Sequence, residues 1–133
     1  MCDCPDDLSI RNDERLLRRV LEDWVLRNAS PVRPTSATFK DRRSNEVSVF
    51  IAALTSADTI REGHPNDSVA EITAGEARAQ GFKICRDPAH GLVPNDPSHL
   101  LLCAPTGMGT KARLRAAKAL VDMARWAYLW KEE

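Results

Sequence analysis

From Thr110 onward the chain places Leu114, Ala117, Leu120, Val121, Ala124 and Tyr128 at three- and four-residue intervals, a stripe that an α-helix gathers on one face. Lys111, Arg115, Lys118 and Arg125 fall on the other side, interrupted by Asp122. Residues 12–28 repeat the pattern with Leu17, Val20, Leu21 and Trp24, while Arg18 with Glu22 and Arg19 with Asp23 are spaced for ion pairs on the outer face. The prolines of "SPVRP" stop that helix, because each disfavours helical geometry at the residue before it.

Two amphipathic helices need an apolar partner to cover. Three runs supply one: "VSVFIAAL" at 47–54, "FKICR" at 82–86 and "HLLLCA" at 99–104, each short enough for a strand. A short helix is expected from Ser56 to Gly63. Another should follow the Thr73-x-x-Glu76 capping box and stop at Gly81, which can adopt left-handed backbone. The expected fold is α+β, with a small β-sheet of about three or more short strands packed against two long helices. One domain spanning 1–133 is expected, with 1–10 as a flexible N-terminal segment.

An apolar content of 43% supplies one core for this length. Nineteen basic and nineteen acidic residues cancel, so attraction to nucleic acid or an anionic membrane would need a local patch. No apolar run is long enough to span a bilayer, and "MCDCPDD" lacks the basic and apolar regions of a signal peptide. The expected location is the cytoplasm. Cys2 and Cys4 are separated by a single residue, whereas Cys85 and Cys103 lie in strand-like runs. The expectation is reduced structural thiols and no metal; a zinc site would require the N-terminal pair to fold back onto Cys85 and Cys103.

The richest polar stretch is "RPTSATF", residues 33–39. A guanidinium at Arg33 with hydroxyls at Thr35 and Ser36 can cradle a phosphate or carboxylate. The plainer reading is a turn whose hydroxyls bond their own backbone while Arg33 stays in water. Ser48, on the following strand, and His99, opening a later one, are candidates to converge on the same ligand. Gly107 and Gly109 precede Thr110 and Lys111, but their spacing departs from a nucleotide-binding P-loop, and Thr110 reads as a helix cap. The basic stripe of the last helix, with Arg42 and Arg43, reads as a solvated face before it reads as a nucleic-acid surface, because no aromatic residues are interleaved for stacking. Trp126 and Trp130 lie four apart at the edge of that helix and are expected to form a homodimer or partner interface, unless the N-terminal segment covers both rings.

The segments "RPTSATFKD", "VSVF", "VAEITAGEARAQGFKICRDP" and "DPSHLLL" together resemble a family of small, uncharacterised bacterial proteins. Arg33, Ser36, Phe39, Ser48 and His99 are the matching positions, and the resemblance implies a bacterial origin without assigning an activity. The Leu-Leu-Leu after His99 departs from the small residue and valine of that pattern. Element order alone is also similar to ADP-ribosyltransferase-like and RES-type domains, which implies NAD or a nucleotide held by Arg33, with His99 or Ser48 and either Glu62 or Glu71. Three functional expectations follow, the least favoured being a nucleic-acid-binding protein that uses Lys111, Arg115, Lys118 and Arg125 with Arg42 and Arg43. One is a non-catalytic module, without a cofactor, that binds an anionic ligand or an acidic partner group through Arg33, Thr35, Ser36, Ser48 and His99. Another is an enzyme using NAD or a nucleotide.

Overall fold

Residues 15–20 form a strand and not the expected helix. The computed structural model describes residues 4–40, 46–104 and 107–131, and in it β1 (Arg15–Val20) is a central strand of the main sheet. Leu16 and Leu17 are adjacent in sequence yet both buried, which a strand with cover on both faces permits. That double burial, together with Val20, mimics helical spacing in the sequence. Trp24 belongs instead to a single-turn segment after the strand, and Val25 begins a two-residue strand, β2 (Val25–Leu26), paired with β3 (Arg33–Pro34).

The remaining elements are β4 (Glu46–Ile51), α1 (Ala57–Ile60), β5 (Ser68–Thr73), α2 (Ala74–Ala79), β6 (Lys83–Arg86), β7 (His99–Cys103), α3 (Thr110–Met123) and β8 (Arg125–Tyr128). Six strands make one antiparallel sheet in the order β6-β7-β4-β1-β5-β8. The α+β class stands, but the pair of long helices does not: α1 has 4 residues, α2 has 6, and α3 alone is long at 14. No helix among the described residues is long and apolar enough to cross a membrane.

Local signals explain the short helices. Ser56 accepts the Thr59 N–H at the start of α1. Thr73 and Glu76 form the reciprocal capping box of α2, and Gly81 follows with φ of 92°. The last helix ends earlier than its apolar stripe suggests. At Ala124 the backbone turns extended, and β8 pairs with β5 through Arg125 opposite Glu71, Trp126 opposite Ala70 and Tyr128 opposite Val69. The register shift between Val69 and Ala70 sends Trp126 and Tyr128 to opposite faces. The two tryptophans are therefore not neighbours on a helix. Gly109, not Thr110, occupies the N-cap position of α3.

Alternation divides the sheet's side chains into two layers. Leu16, Val47, Val49, Ile51, Ile72, Ile84, Leu100 and Leu102 point toward Ala116, Ala117 and Leu120 of α3, with Phe39 and Phe82 completing the main core. Each fully buried aliphatic side chain there contributes about 1.5–3 kcal/mol. The second face has a smaller core of Leu17, Phe50, Ile60 and Val69, with Tyr128 packed against it.

The centre of the sheet contains a seam. β1 and β4 pair only through Leu16 with Ile51 and Leu17 with Phe50. Beyond them the strands part, and the half-buried Arg18 guanidinium spans the gap, donating from Nε to the Thr38 carbonyl (2.8 Å) and from Nη1 to the Ser48 carbonyl (3.0 Å).

Candidate functional site

The expected ligand-holding residues fall in three different places. Arg33 on β3 is exposed and lines an open depression of about 340 Å³ with Thr35, Ser36, Lys118, Val121 and Asp122. The single turn at Ser36–Phe39 packs on α3, so this depression lies on the α3 side of the sheet. Chain connectivity explains the wall: Phe39 and Pro34 are buried, which orients the intervening hydroxyl residues along the rim. Lys118 projects from the helix across from them. No carboxylate among the described residues pairs with Arg33 or Lys118, while Asp122 supplies one acidic group on the same wall.

Ser48 lines a separate cavity of about 220 Å³, walled by Arg18, Arg19, Leu21, Trp24, Phe50, Ile60 and Leu92. It opens beside the seam, on the side of the smaller core. The Arg18 guanidinium sits 5.6 Å from the Trp24 ring centroid, and Arg19 Nε lies 3.4 Å from Asp67 Oδ2. Much of the positive charge here is committed to the protein's own carbonyls and carboxylate.

His99 lines neither space. Its side chain is 2% exposed, its ring packs 5.2 Å from that of Phe50, and Nδ1 lies 2.6 Å from the Asp87 carbonyl. It closes the loop between β6 and β7. Asp96 organises the same loop, accepting from the Leu92 N–H at 2.9 Å and from the Ser98 N–H and hydroxyl at 2.9 and 2.6 Å. Burial pushes the Asp96 carboxyl up, but the Ser98 and Leu92 donors and nearby His99 outweigh it and hold the group below the ordinary 3.8. On the loop's exposed side, a hydrogen bond to Asp87 and that carboxylate's charge raise His90 above the ordinary 6.5. The geometry makes His99 a loop fastener.

The acidic residues expected beside a nucleotide are also dispersed. Glu71 on β5 is held between Arg15 at 3.3 Å and Arg125 at 3.0 Å, and Glu62 is exposed just after α1. Neither shares one of these cavities with Arg33 or His99. Of the basic stripe, Lys111, Arg115 and Lys118 are exposed on α3, but Arg125 belongs to β8 and pairs with Glu71 and Glu76. Arg42 and Arg43 lie outside the described residues.

Trp126 is half-buried, and its indole N–H donates to the Val32 carbonyl at 3.0 Å. Trp130 is also half-buried, with the Arg27 guanidinium 5.3 Å from its ring centroid. Among the described residues, 4–10 of the N-terminal segment cover neither ring and run along the opposite edge of the sheet, where the Asp7 N–H donates to the Ile84 carbonyl at 2.8 Å.

That segment produces a grouping the sequence concealed. The sulfurs of Cys4, Cys85 and Cys103 all lie within 4.8 Å of one another. Cys4 and Cys85 are joined as a disulfide, which overturns the expectation of separate reduced thiols. Cys85 and Cys103 come together through the β6–β7 register, in which Lys83 faces Cys103 and Cys85 faces Leu101, leaving the two cysteines diagonal on one face.

Comparison of the chain with family models, curated proteins and solved structures found no match. Its functional reading rests on these side chains.

Proposed function

We propose that the protein is a non-catalytic binding module and that the wall formed by Arg33, Thr35, Ser36 and Lys118 receives an acidic group of a partner or small ligand. One observation carries the reading: two cations without carboxylate partners and two hydroxyl side chains line the same open depression. A guanidinium donates in a planar fork suited to carboxylate or phosphate, and an ammonium beside it adds charge without dictating direction. Leu26 and Val121 give the same wall an apolar margin. A shallow shape of this kind suits a side chain presented from outside better than a ligand that must be enclosed.

The test is titration calorimetry of the wild type with inorganic phosphate, ADP and a glutamate-rich peptide, repeated with an Arg33→Ala, Lys118→Ala double variant. Charge-assisted hydrogen bonds of this type are worth about 1.5–3 kcal/mol, so the variant should bind at least about tenfold more weakly. Its unfolding midpoint should stay close to that of the wild type, since the altered side chains are exposed. A wild type that binds none of the three probes, or a variant that binds them equally well, would sink the reading.

A further inference from the structure

We infer that the cavity beside the seam is a second binding site, separate from the Arg33 wall, and that it takes a monocyclic aromatic carboxylate of the benzoate class. The two strands that part at the seam supply its facing sides, Arg18 and Arg19 from β1 and Ser48 and Phe50 from β4. The Trp24 ring and Ile60 add further wall. Leu21 and Leu92, which also line the space, are 37% and 40% exposed and stand at its mouth.

Size restricts what can enter. The cavity holds about 220 Å³. An apolar cavity of about 150 Å³ is enough to take benzene, so one ring fits here with space for a short polar arm. Sites for drug-sized molecules begin at about 300 Å³, which excludes a dinucleotide or a fused polycycle.

The lining chemistry selects the arm. Two guanidiniums and one hydroxyl face the space, and no carboxylate lines it. Alternation along β4 sends Ser48 to the face of Phe50, away from Val47 and Val49 in the main core. Among the described residues, no hydrogen bond occupies the Ser48 hydroxyl or the Arg19 guanidinium, although Arg19 Nε lies 3.4 Å from Asp67 Oδ2. Arg18 is held by the Thr38 and Ser48 carbonyls, which fix where its charge sits without neutralising it. A carboxylate offers acceptors only and bonds such donors with charge assistance. A neutral ring would fill the apolar walls but leave these donors dry, and a cationic one would meet two like charges.

The walls are fixed before anything enters. Phe50 packs 5.2 Å from the His99 ring, whose Nδ1 is tied to the Asp87 carbonyl at 2.6 Å. Leu92 is held through its N–H by Asp96 Oδ2 at 2.9 Å. The loop that His99 fastens thus supplies one side of the mouth, and little ordering is required of the protein on binding.

Benzoate should be titrated into isotope-labelled full-length protein and followed by amide NMR shifts, with benzyl alcohol, acetate and benzamidinium as comparators. Saturable benzoate shifts are expected around Ser48, Phe50 and Leu92, with each comparator binding at least about tenfold more weakly. Arg19→Gln should weaken benzoate by at least about tenfold and erase its advantage over benzyl alcohol. Leu92→Trp, placed at the exposed mouth, should block the shifts while the spectrum keeps its native dispersion. The Arg33→Ala, Lys118→Ala double variant should bind benzoate like the wild type. A folded wild type with no saturable shift would overturn the site, as would a Leu92→Trp variant that binds normally. Benzyl alcohol binding as tightly as benzoate would overturn the ligand class. Loss of benzoate binding in the Arg33→Ala, Lys118→Ala variant would assign it to the other wall and equally refute the cavity.

Discussion

The two edges of the sheet are protected by different chemistry. At the β6 edge an extended segment docks through paired charges, backbone hydrogen bonds and sulfur. At the β8 edge a short, bulged strand is shielded by aromatic rings, with Trp126 tied to Val32 and Trp130 lying under Arg27. Both devices deny an unpaired strand to other chains. The first depends on ionisation and redox state, whereas the second depends on buried apolar area, so the two edges should fail under different conditions.

The largest expected effect is at the β6 edge. The Cys4–Cys85 link closes a loop with a sequence separation of 81, for which loop-closure entropy corresponds to about 4.5 kcal/mol. Cys4→Ser should therefore lower stability by about 4 kcal/mol in denaturant titrations under oxidising conditions. The two proteins should unfold alike after reduction; a gap that persisted there would show that Cys4 acts through packing.

Next comes the β8 edge. Trp126→Ala removes a half-buried ring and leaves the Val32 carbonyl without its donor, for a loss of about 3 kcal/mol. Sedimentation should be unchanged, because the ring packs within its own chain. A wild-type dimer that the variant dissolves would instead restore the interface that the sequence suggested for Trp126 and Trp130. A smaller effect is expected for Arg78→Ala, which deprives Asp6, Asn12 and the Asp7 carbonyl of a shared donor at a cost of about 2 kcal/mol. Reduced protein should show this loss too, since these contacts do not involve sulfur.

The mildest effect should appear in acid. The Ser9 hydroxyl and N–H, followed by Arg86, hold the Asp7 carboxyl below its ordinary 3.8. Because the folded value is depressed, the contribution is complete above 3.8 and disappears as pH falls through the folded value. Amide exchange at Ser9, whose N–H donates to Asp7 Oδ1 at 3.0 Å, should accelerate in that range beyond its intrinsic rate. If Ser9 and the β8 amides lost protection together, the edges would not be independent.

The sequence was most legible where structure is set by neighbours a few residues apart. Ser56, Thr73 with Glu76, and Gly81 marked the ends of short helices because capping is local. β4, β6 and β7 stood out as apolar runs between turns. β1 misled because burial on both faces, with arginines at 18 and 19, leaves no two-residue alternation to read. Its neighbour β5 was overlooked for a related reason: Ser68, Val69, Ala70 and Ile72 are buried on both sides of the sheet, and their polar and small members carry little hydrophobic signal. β8 vanished into the helical stripe that precedes it, since only pairing with β5 reveals where the helix stops.

The candidate sites depended still more on distant partners. Arg33, Thr35 and Ser36 were visible as a polar run, but Lys118 joins them only through the packing of the Ser36–Phe39 turn on α3. His99 looked available because a histidine at a strand end carries no mark of burial. The cysteine group was hidden by its distribution: Cys85 meets Cys103 through strand register, and Cys4 arrives by way of Arg78 and Arg86.

The seam beside Arg18 has a mechanical meaning. It divides the sheet into two leaves, β6-β7-β4 and β1-β5-β8, hinged along a spine two residues long. Prising β1 from β5 would break a register running from Arg15 to Val20, and β4 from β7 one running from Glu46 to Phe50. Between the leaves, strand pairing among the described residues is confined to the spine, beside which one arginine bridges the Thr38 and Ser48 carbonyls, and the rest of their union is side-chain packing in the two cores. Of the ladders in the sheet this line has the fewest paired residues, so a load applied across the sheet is expected to meet its least backbone resistance there, with the shared cores carrying the remainder.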